Sequence, residues 1–311
     1  MDAQASLRIG TRGSPLALIQ AEEVKAALLA AHSDLDAGAI EIVVIRTTGD
    51  RIRDKPFREF GGKGLFTKEI EEALYGDEID LAVHSMKDVP TELPPGLTIA
   101  CYLPREDPRD ALLAPAATGL ADLPRGAVVG SSSLRRRAQL LHARPDLEVV
   151  EFRGNVETRL AKLADGVADA TLLAMAGLNR LGMSDRASAA LAPEVLLPAV
   201  AQGAIGIEIR AEDRATAARL APLNDAATQT CVMAERAFLA ALDGSCKTPI
   251  AALATLRADG GIDFRGQILT PDGTQVHEAE RRGPAGEAAR LGGDAGTELA
   301  ARAGPGFFEP L

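Results

Sequence analysis

Short apolar runs alternate with amphipathic stretches through most of the first two thirds of the chain, the pattern of βα units built on a mainly parallel sheet. Residues 7–9 read as a strand, and Ser14 with Pro15 supplies an N-cap and a first-turn proline for a helix over 16–30. Residues 40–45 form the next strand. A helix from about Gly64 to Tyr75 leads into a strand over 79–83. The end of that strand delivers His84, Ser85, Met86, Lys87 and Asp88 to a loop closed by Pro90. Lys87 and Asp88 therefore fall at a strand's carboxyl end, where open α/β sheets keep their ligands.

The stretch LPREDPR, residues 103–109, is rich in proline and charge and reads as a crossing between domains. A second α/β unit follows, with a strand over 127–129, a helix from Leu134, a strand over 147–152, a helix over 156–163 and a strand over 170–173. LPAVAQG at 197–203 interrupts this pattern, and the strand over 204–209 reads as a return crossing into the first domain. A long amphipathic helix over 225–242 then leads through the turn DGS to Cys246. Strands over 250–256 and 261–269, joined by a DGG turn, make a hairpin, and a helical tail ends the chain. The expected fold class is α/β, with two α/β domains and a small C-terminal α+β domain. The expected boundaries are 1–103 with 204–221, 104–203 and 222–311. The sequence shows no internal repeat.

Composition narrows the function. A chain of 311 residues with 46% hydrophobic content can bury more than one core. The N-terminus has no basic start followed by an apolar run, and no stretch is long and apolar enough for a bilayer, so the expected compartment is the cytosol, with no membrane partner. Cys101, Cys231 and Cys246 are an odd number with no CxxC pair, which argues against a disulfide framework or a zinc site, and no metal is expected. A net charge of −10 repels polyanions, and 3% aromatic residues without tryptophan give no base-stacking platform, so nucleic acid is not an expected partner. An anionic ligand would need a local basic pocket.

Such a pocket is suggested by arginines at strand-to-helix junctions: Arg12, Arg135 to Arg137 after Ser131 to Ser133, and Arg153 and Arg159. Helix N-termini favour anions, and guanidinium forks clasp carboxylates in bidentate fashion. Each arginine alone reads more readily as a solvated charge or a local ion pair than as a ligand contact; their repetition points to one ligand with several carboxylates. Lys87 beside Asp88 is either a proton-handling pair or an ordinary surface turn. His84 reads as a packed strand-end residue. The loop EFGGKGLF, residues 59–66, lacks P-loop spacing and is either a mobile cover over a ligand or a plain turn. Cys246, in a turn, is the most reachable thiol, whereas Cys101 and Cys231 read as core.

Taken in order, the segments IGTRGSPLALIQ, GGKGLFTKEIE, DLAVHSMKDVP, REDPRDALL, VGSSSLRRRAQL, FRGNVETRL, LAMAGLNRLG, LPAVAQGAIGIE and LDGSCKTPIA resemble those of the porphobilinogen deaminase family, also called hydroxymethylbilane synthases. The match spans residues from about 8 to 256. The resemblance implies two solute-binding-protein-like domains with a cleft between them and a third domain carrying a cofactor cysteine. It implies a dipyrromethane cofactor, made from two porphobilinogen units and bonded by a thioether to Cys246. Four porphobilinogen molecules are then added with loss of ammonia, and the linear tetrapyrrole hydroxymethylbilane is released by hydrolysis.

Residue by residue, the same resemblance implies that Asp88 is the catalytic carboxylate, contacting pyrrole N–H groups and assisting formation of an azafulvene-type cation. Lys87, Ser131, Ser133, Arg135 and Arg136, with Asp88, would hold the cofactor. Arg12, Ser14, Gln20, Arg153, Arg159 and Gln202 would contact substrate, with Phe66 and Lys63 in a shielding loop. A monomer is implied. The sequence departs from the family pattern in four places. Glu59 stands where many relatives carry lysine, with Arg58 as a substitute; Ser131 replaces a common threonine. AVAQG replaces AVGQG, making the backbone before Gln202 less permissive. SCK replaces GCQ, and Lys247 would lower the thiol pKa. The competing reading is a non-catalytic two-lobed binder of a small polycarboxylate, which would not need Cys246.

Overall fold

The computed structural model describes residues 7–51, 66–244 and 248–309. The chain divides into two compact units, Met1–Arg105 with Ala204–Gln229, and Glu106–Gly203 with Thr230–Leu311.

In the first unit, β1 (Leu7–Arg12) leads to α1 (Pro15–Ala31), β2 (Ile40–Ile45), the single turn α2 (Thr48–Arg51), α3 (Lys68–Tyr75), β3 (Leu81–Ser85) and β4 (Leu97–Tyr102). The second unit begins with β5 (Asp110–Leu113) and β6 (Val128–Gly130). It continues through α4 (Leu134–Ala143), β7 (Glu148–Val150), α5 (Val156–Ala164), β8 (Ala170–Ala174), α6 (Met175–Arg180) and β9 (Ala189–Ala190). The chain returns to the first unit in β10 (Ile205–Arg210) and α7 (Arg214–Leu220), and α8 (Ala226–Ala241) starts there and ends in the second unit. The hairpin β11 (Ile250–Leu256) and β12 (Gly261–Leu269), then β13 (Val276–Pro284) and α9 (Ala288–Ala303), complete the second unit.

The first sheet has the order β2-β1-β3-β10-β4 and the second β7-β6-β8-β5-β9. β1 lies parallel to β2 and β3, whereas β10 runs antiparallel to both β3 and β4. The second sheet repeats this plan, with β6 parallel to β7 and β8, and β5 antiparallel to β8 and β9. One reversed strand at the fourth position is thus common to both sheets, a repeat of topology with no repeat of sequence. The third sheet, β11-β12-β13, is antiparallel throughout. Among the described residues, no helix is long and apolar enough to cross a membrane.

Why these residues form these elements is clearest in α1. The Ser14 hydroxyl accepts the Ala17 N–H, Pro15 occupies the first turn, and Ala17, Gln20, Ala21, Val24 and Leu28 make one buried face at helical spacing. That face packs on Ile9, Leu81, Val83 and Ile207 of the sheet.

Several elements differ from the sequence reading. β1 runs three residues further, so Arg12 is its last residue. β3 starts at Leu81, not at residue 79, because the Asp80 carboxylate takes the Arg8 backbone N–H at 2.7 Å and the β1–β3 pairing opens at Ile9 and Leu81. His84 and Ser85 are consequently strand residues, and Met86–Asp88 form one 3-10 turn. α3 begins at Lys68, after a turn at Phe66 and Thr67. The second-unit strands shift by a residue or more, to Val128–Gly130 and Glu148–Val150. β13 carries VHEAERRGP, whose charges read as a tail; as an edge strand bonded only to β12, it tolerates them.

Candidate active site

The turn that ends β3 is held from several sides. Gln20 of α1 exchanges hydrogen bonds with the Ser85 hydroxyl, Nε2 donating at 2.9 Å and Oε1 accepting at 3.0 Å. The Met86 N–H donates to the Ala204 carbonyl at 3.0 Å, and the Met86 side chain is buried. Lys87 is exposed and Asp88 half-buried. The Asp88 Oδ2 lies 4.0 Å from Arg12 Nη1, an ion pair too long for a hydrogen bond. The same guanidinium stacks over the Phe66 ring, 4.1 Å from its centroid, within cation–π range. Arg12, at the carboxyl end of β1, thus meets Phe66 and the Asp88 of the turn after β3, with Lys87 next to Asp88 on that turn. Ser14 caps α1, and Gln20 is buried with its amide bonded to Ser85.

The second unit assembles its arginines around α4. Ser133 caps that helix by accepting the Arg136 N–H, and the Ser131 hydroxyl accepts the Ser133 N–H. Arg135 and Arg136 are buried and converge on Asp110, the first residue of β5. Arg135 Nη1 is 2.8 Å from Oδ2 and Arg136 Nη2 is 2.6 Å from Oδ1. Arg136 also donates to the Leu172 carbonyl, and Arg135 to that of Leu197. Gln202 joins the same carboxylate at 3.1 Å and the Pro108 carbonyl at 2.7 Å. Burial alone would push the Asp110 carboxyl up, but the charges of Arg135 and Arg136 override it and hold the group far below the ordinary carboxylate range.

Further along, Asn155 caps α5 by accepting the Thr158 N–H at 2.9 Å, and Arg159 Nε donates to the Gly154 carbonyl at 2.9 Å. Gly154 has φ +119°, and a Cβ there would meet Thr158 at 2.5 Å, so the turn requires glycine. Burial, then the neighbouring charges of Arg136 and Arg153, push the Arg159 guanidinium down to about 10 against the opposing pull of Glu151. Arg153 is paired with Glu151, and Lys162 donates to the Arg153 carbonyl. Crowded cations of this kind favour an anion with more than one carboxylate.

Cys101 and Cys231 are buried and form no disulfide among the described residues, and burial pushes the Cys101 thiol up to about 12, far from reactivity. Cys246, Lys63, Glu59, Arg58 and Lys247 lie outside the described residues. No cluster of His, Cys, Asp and Glu able to hold a metal occurs among the described residues.

Two family models match nearly the whole chain: porphobilinogen deaminase, dipyromethane cofactor binding domain, over residues 7–218, and porphobilinogen deaminase, C-terminal domain, over 229–301. The chain belongs to the porphobilinogen deaminase family. It is 60% identical to the porphobilinogen deaminase of Paracoccus denitrificans over 99% of its own length and 98% of that protein's. It is 56% identical to the chloroplastic porphobilinogen deaminase of Oryza sativa subsp. japonica over 100% of this chain and 88% of the other. Among solved structures, an ABC transporter periplasmic substrate-binding protein from Coxiella burnetii matches at 16% identity and a TM-score of 0.42, over 72% of this chain and 94% of that one.

As a member of the porphobilinogen deaminase family the chain is an enzyme, a transferase of tetrapyrrole biosynthesis, and it carries that family's dipyrromethane cofactor binding domain. A dipyrromethane bears acetate and propionate groups, and the cationic group of Arg136, Arg153 and Arg159 beside the N-termini of α4 and α5 fits such a ligand. The sequence reading missed Asp110. Its signal was available: a charged residue opens a strand that is otherwise ALL and fully buried, and a buried charge needs partners.

Proposed function

We propose that Asp88 is the catalytic carboxylate of this enzyme and Cys246 its point of cofactor attachment. The observation that carries the reading is the placement of Asp88: it ends β3 on a short turn, partly exposed, with one guanidinium near enough to steady its charge but not to clamp it. A carboxylate so placed accepts hydrogen bonds from pyrrole N–H groups and offsets the positive charge that develops as ammonia departs. Arg12 balances the carboxylate between steps and takes a substrate acetate or propionate, with Phe66 behind it restricting access of water. Ser14 and Gln20 support these contacts, Gln20 through the Ser85 hydroxyl it holds, while in the second unit Gln202 acts through the Asp110 carboxylate.

In the second unit, Arg153 and Arg159 bind substrate carboxylates. Ser131, Ser133, Arg135 and Arg136 hold the cofactor. The three bonds drawn from Arg136 to Asp110 and the Leu172 carbonyl leave part of its five-donor fork for a ligand. Bound dipyrromethane supplies the acceptor to which pyrrole units are added. Each coupling joins the aminomethyl carbon of one porphobilinogen to a free pyrrole carbon; the C–N bond breaks, and the amino group leaves as ammonia with the hydrogen displaced from that pyrrole carbon. Four such couplings and one water give hydroxymethylbilane and four ammonia.

We further assign three domains, residues 1–103 with 204–221, 104–203 and 222–311, a reading supported by one separate sheet in each. The enzyme works as a cytosolic monomer; a reducing compartment suits a chain whose described cysteines form no disulfide. The test is the intact mass of protein purified from cells that make porphobilinogen, followed by peptide mapping. An adduct of two pyrrole units on the Cys246 peptide is expected. An unmodified chain would favour the non-catalytic polycarboxylate binder.

A further inference from the structure

His84 and Glu208 have no part in the chemistry just described, yet they form a buried polar pair directly beneath it. His84 Nε2 lies 2.9 Å from Glu208 Oε2, and both side chains are almost wholly removed from solvent. They face one another diagonally across the antiparallel β3–β10 seam, in which His84 pairs with Gly206 and Glu208 with Ala82. Opposite His84, Gly206 makes room for Met86: a Cβ at that position would stand 2.0 Å from the Met86 sulfur. Glu71 of α3 is buried over the same pair, its carboxyl pushed up by burial first and by the Glu208 charge as well.

The energetics say what such a pair is for. Replacing a buried charged pair by apolar residues of similar volume is often neutral or stabilising, so the pair is poor evidence of stability, whereas its directionality fixes register. The strand it registers ends at Ser85, and the next three residues are the turn carrying Asp88. On the opposite face of the strand, the Gln20–Ser85 bonds fix the same turn. We infer that His84, oriented by the Glu208 carboxylate, is a positioning residue for the Asp88 turn, its imidazole–carboxylate bond setting where β3 ends and the reactive carboxylate begins. This rests on the assignment of Asp88 as the catalytic group.

The test uses the full-length, cofactor-loaded enzyme, with the loaded fraction counted by intact mass. The double variant His84→Leu, Glu208→Leu removes both polar groups without leaving an orphan charge. Displacements of the order of 1 Å cost about a hundredfold in rate, so kcat is expected to fall by about tenfold to a hundredfold with KM within about threefold. His84→Gln keeps a donor toward Glu208 and is expected to recover kcat to within about threefold of the parent. A double variant with kcat within twofold of the parent, or His84→Gln as slow as the double variant, would overturn the inference. If the double variant does not fold, Glu208→Leu, which removes the acceptor, serves in its place: a lower kcat at constant KM supports the role, and an unchanged kcat removes it. Asp88→Asn, measured alongside, separates the two failures. A fast Asp88→Asn enzyme sinks the assignment of Asp88 itself, whereas a slow one beside a fast double variant sinks only the positioning role.

Discussion

Asp88 and Asp110 are both aspartates facing arginine, and the contrast between them shows how one residue type is set to different work. Asp110 is fully buried, and its two oxygens meet Arg135 and Arg136 at 2.8 and 2.6 Å, with Gln202 adding a further bond. Asp88 is about a third exposed, and its guanidinium neighbour stands 4.0 Å away. A carboxylate locked by two buried cations cannot exchange partners cheaply, whereas one in a loose, partly wet pair can accept a substrate's N–H groups and give them up again. The first organises the arginines of its unit; the second is left able to exchange partners.

The comparison breaks most visibly on deletion of the buried group. Asp110→Ala would leave two guanidiniums without their carboxylate, and a loss of about 3–5 kcal/mol is expected in urea unfolding. A loss under about 1 kcal/mol would mean that Asp110 does not anchor the arginines. Next in size, Gly206→Ala would drive a methyl into Met86 beneath the Asp88 turn, with an expected cost of about 1–3 kcal/mol and a slower enzyme. An unaltered rate would show that packing under the turn does not govern it.

pH separates buried carboxyls of opposite sign. Asp110 has a folded pKa held below its unfolded value, so its contribution is present above about pH 4 and disappears as pH falls toward the folded pKa. Glu71 is shifted upward, so its contribution is full below about pH 4 and is lost as pH rises through the folded pKa. Glu71→Gln should therefore gain stability over the parent as pH is raised from 4 to 8, measured by thermal unfolding; a constant difference would contradict the assignment. The smallest effect is expected at Ala201, a non-glycine residue at φ +58° whose N–H donates to Glu235 at 2.6 Å. Left-handed backbone costs an L-residue about 1–2 kcal/mol, partly offset by the unfolded-state entropy of glycine, so Ala201→Gly should stabilise by about 0.5 kcal/mol.

Ala201 also shows what the sequence could convey. The departure AVAQG marked the backbone before Gln202 as constrained, and the positive φ lies at that residue. Periodicity located α1, β2, α4 and the β11–β12 hairpin because each has strong local signals: a cap, an apolar run or a glycine turn. It failed at β13, where charges on an edge strand mimic a tail, and at β5, a four-residue strand opening with a charge. The convergence of Arg12, Phe66 and Asp88 was legible through motif order. The partnerships of Asp110 with Arg135 and Arg136, and of His84 with Glu208, were not, because residues 25 to 124 positions apart are joined only by the sheets' strand order.

The most direct test of the division of labour between the two aspartates is the turnover of Asp88→Asn, measured per cofactor-loaded molecule. Loss of a positioned proton-handling group is expected to lower the rate about a hundredfold or more while the two-pyrrole adduct on Cys246 and the urea midpoint are retained. Turnover near that of the parent would contradict the account.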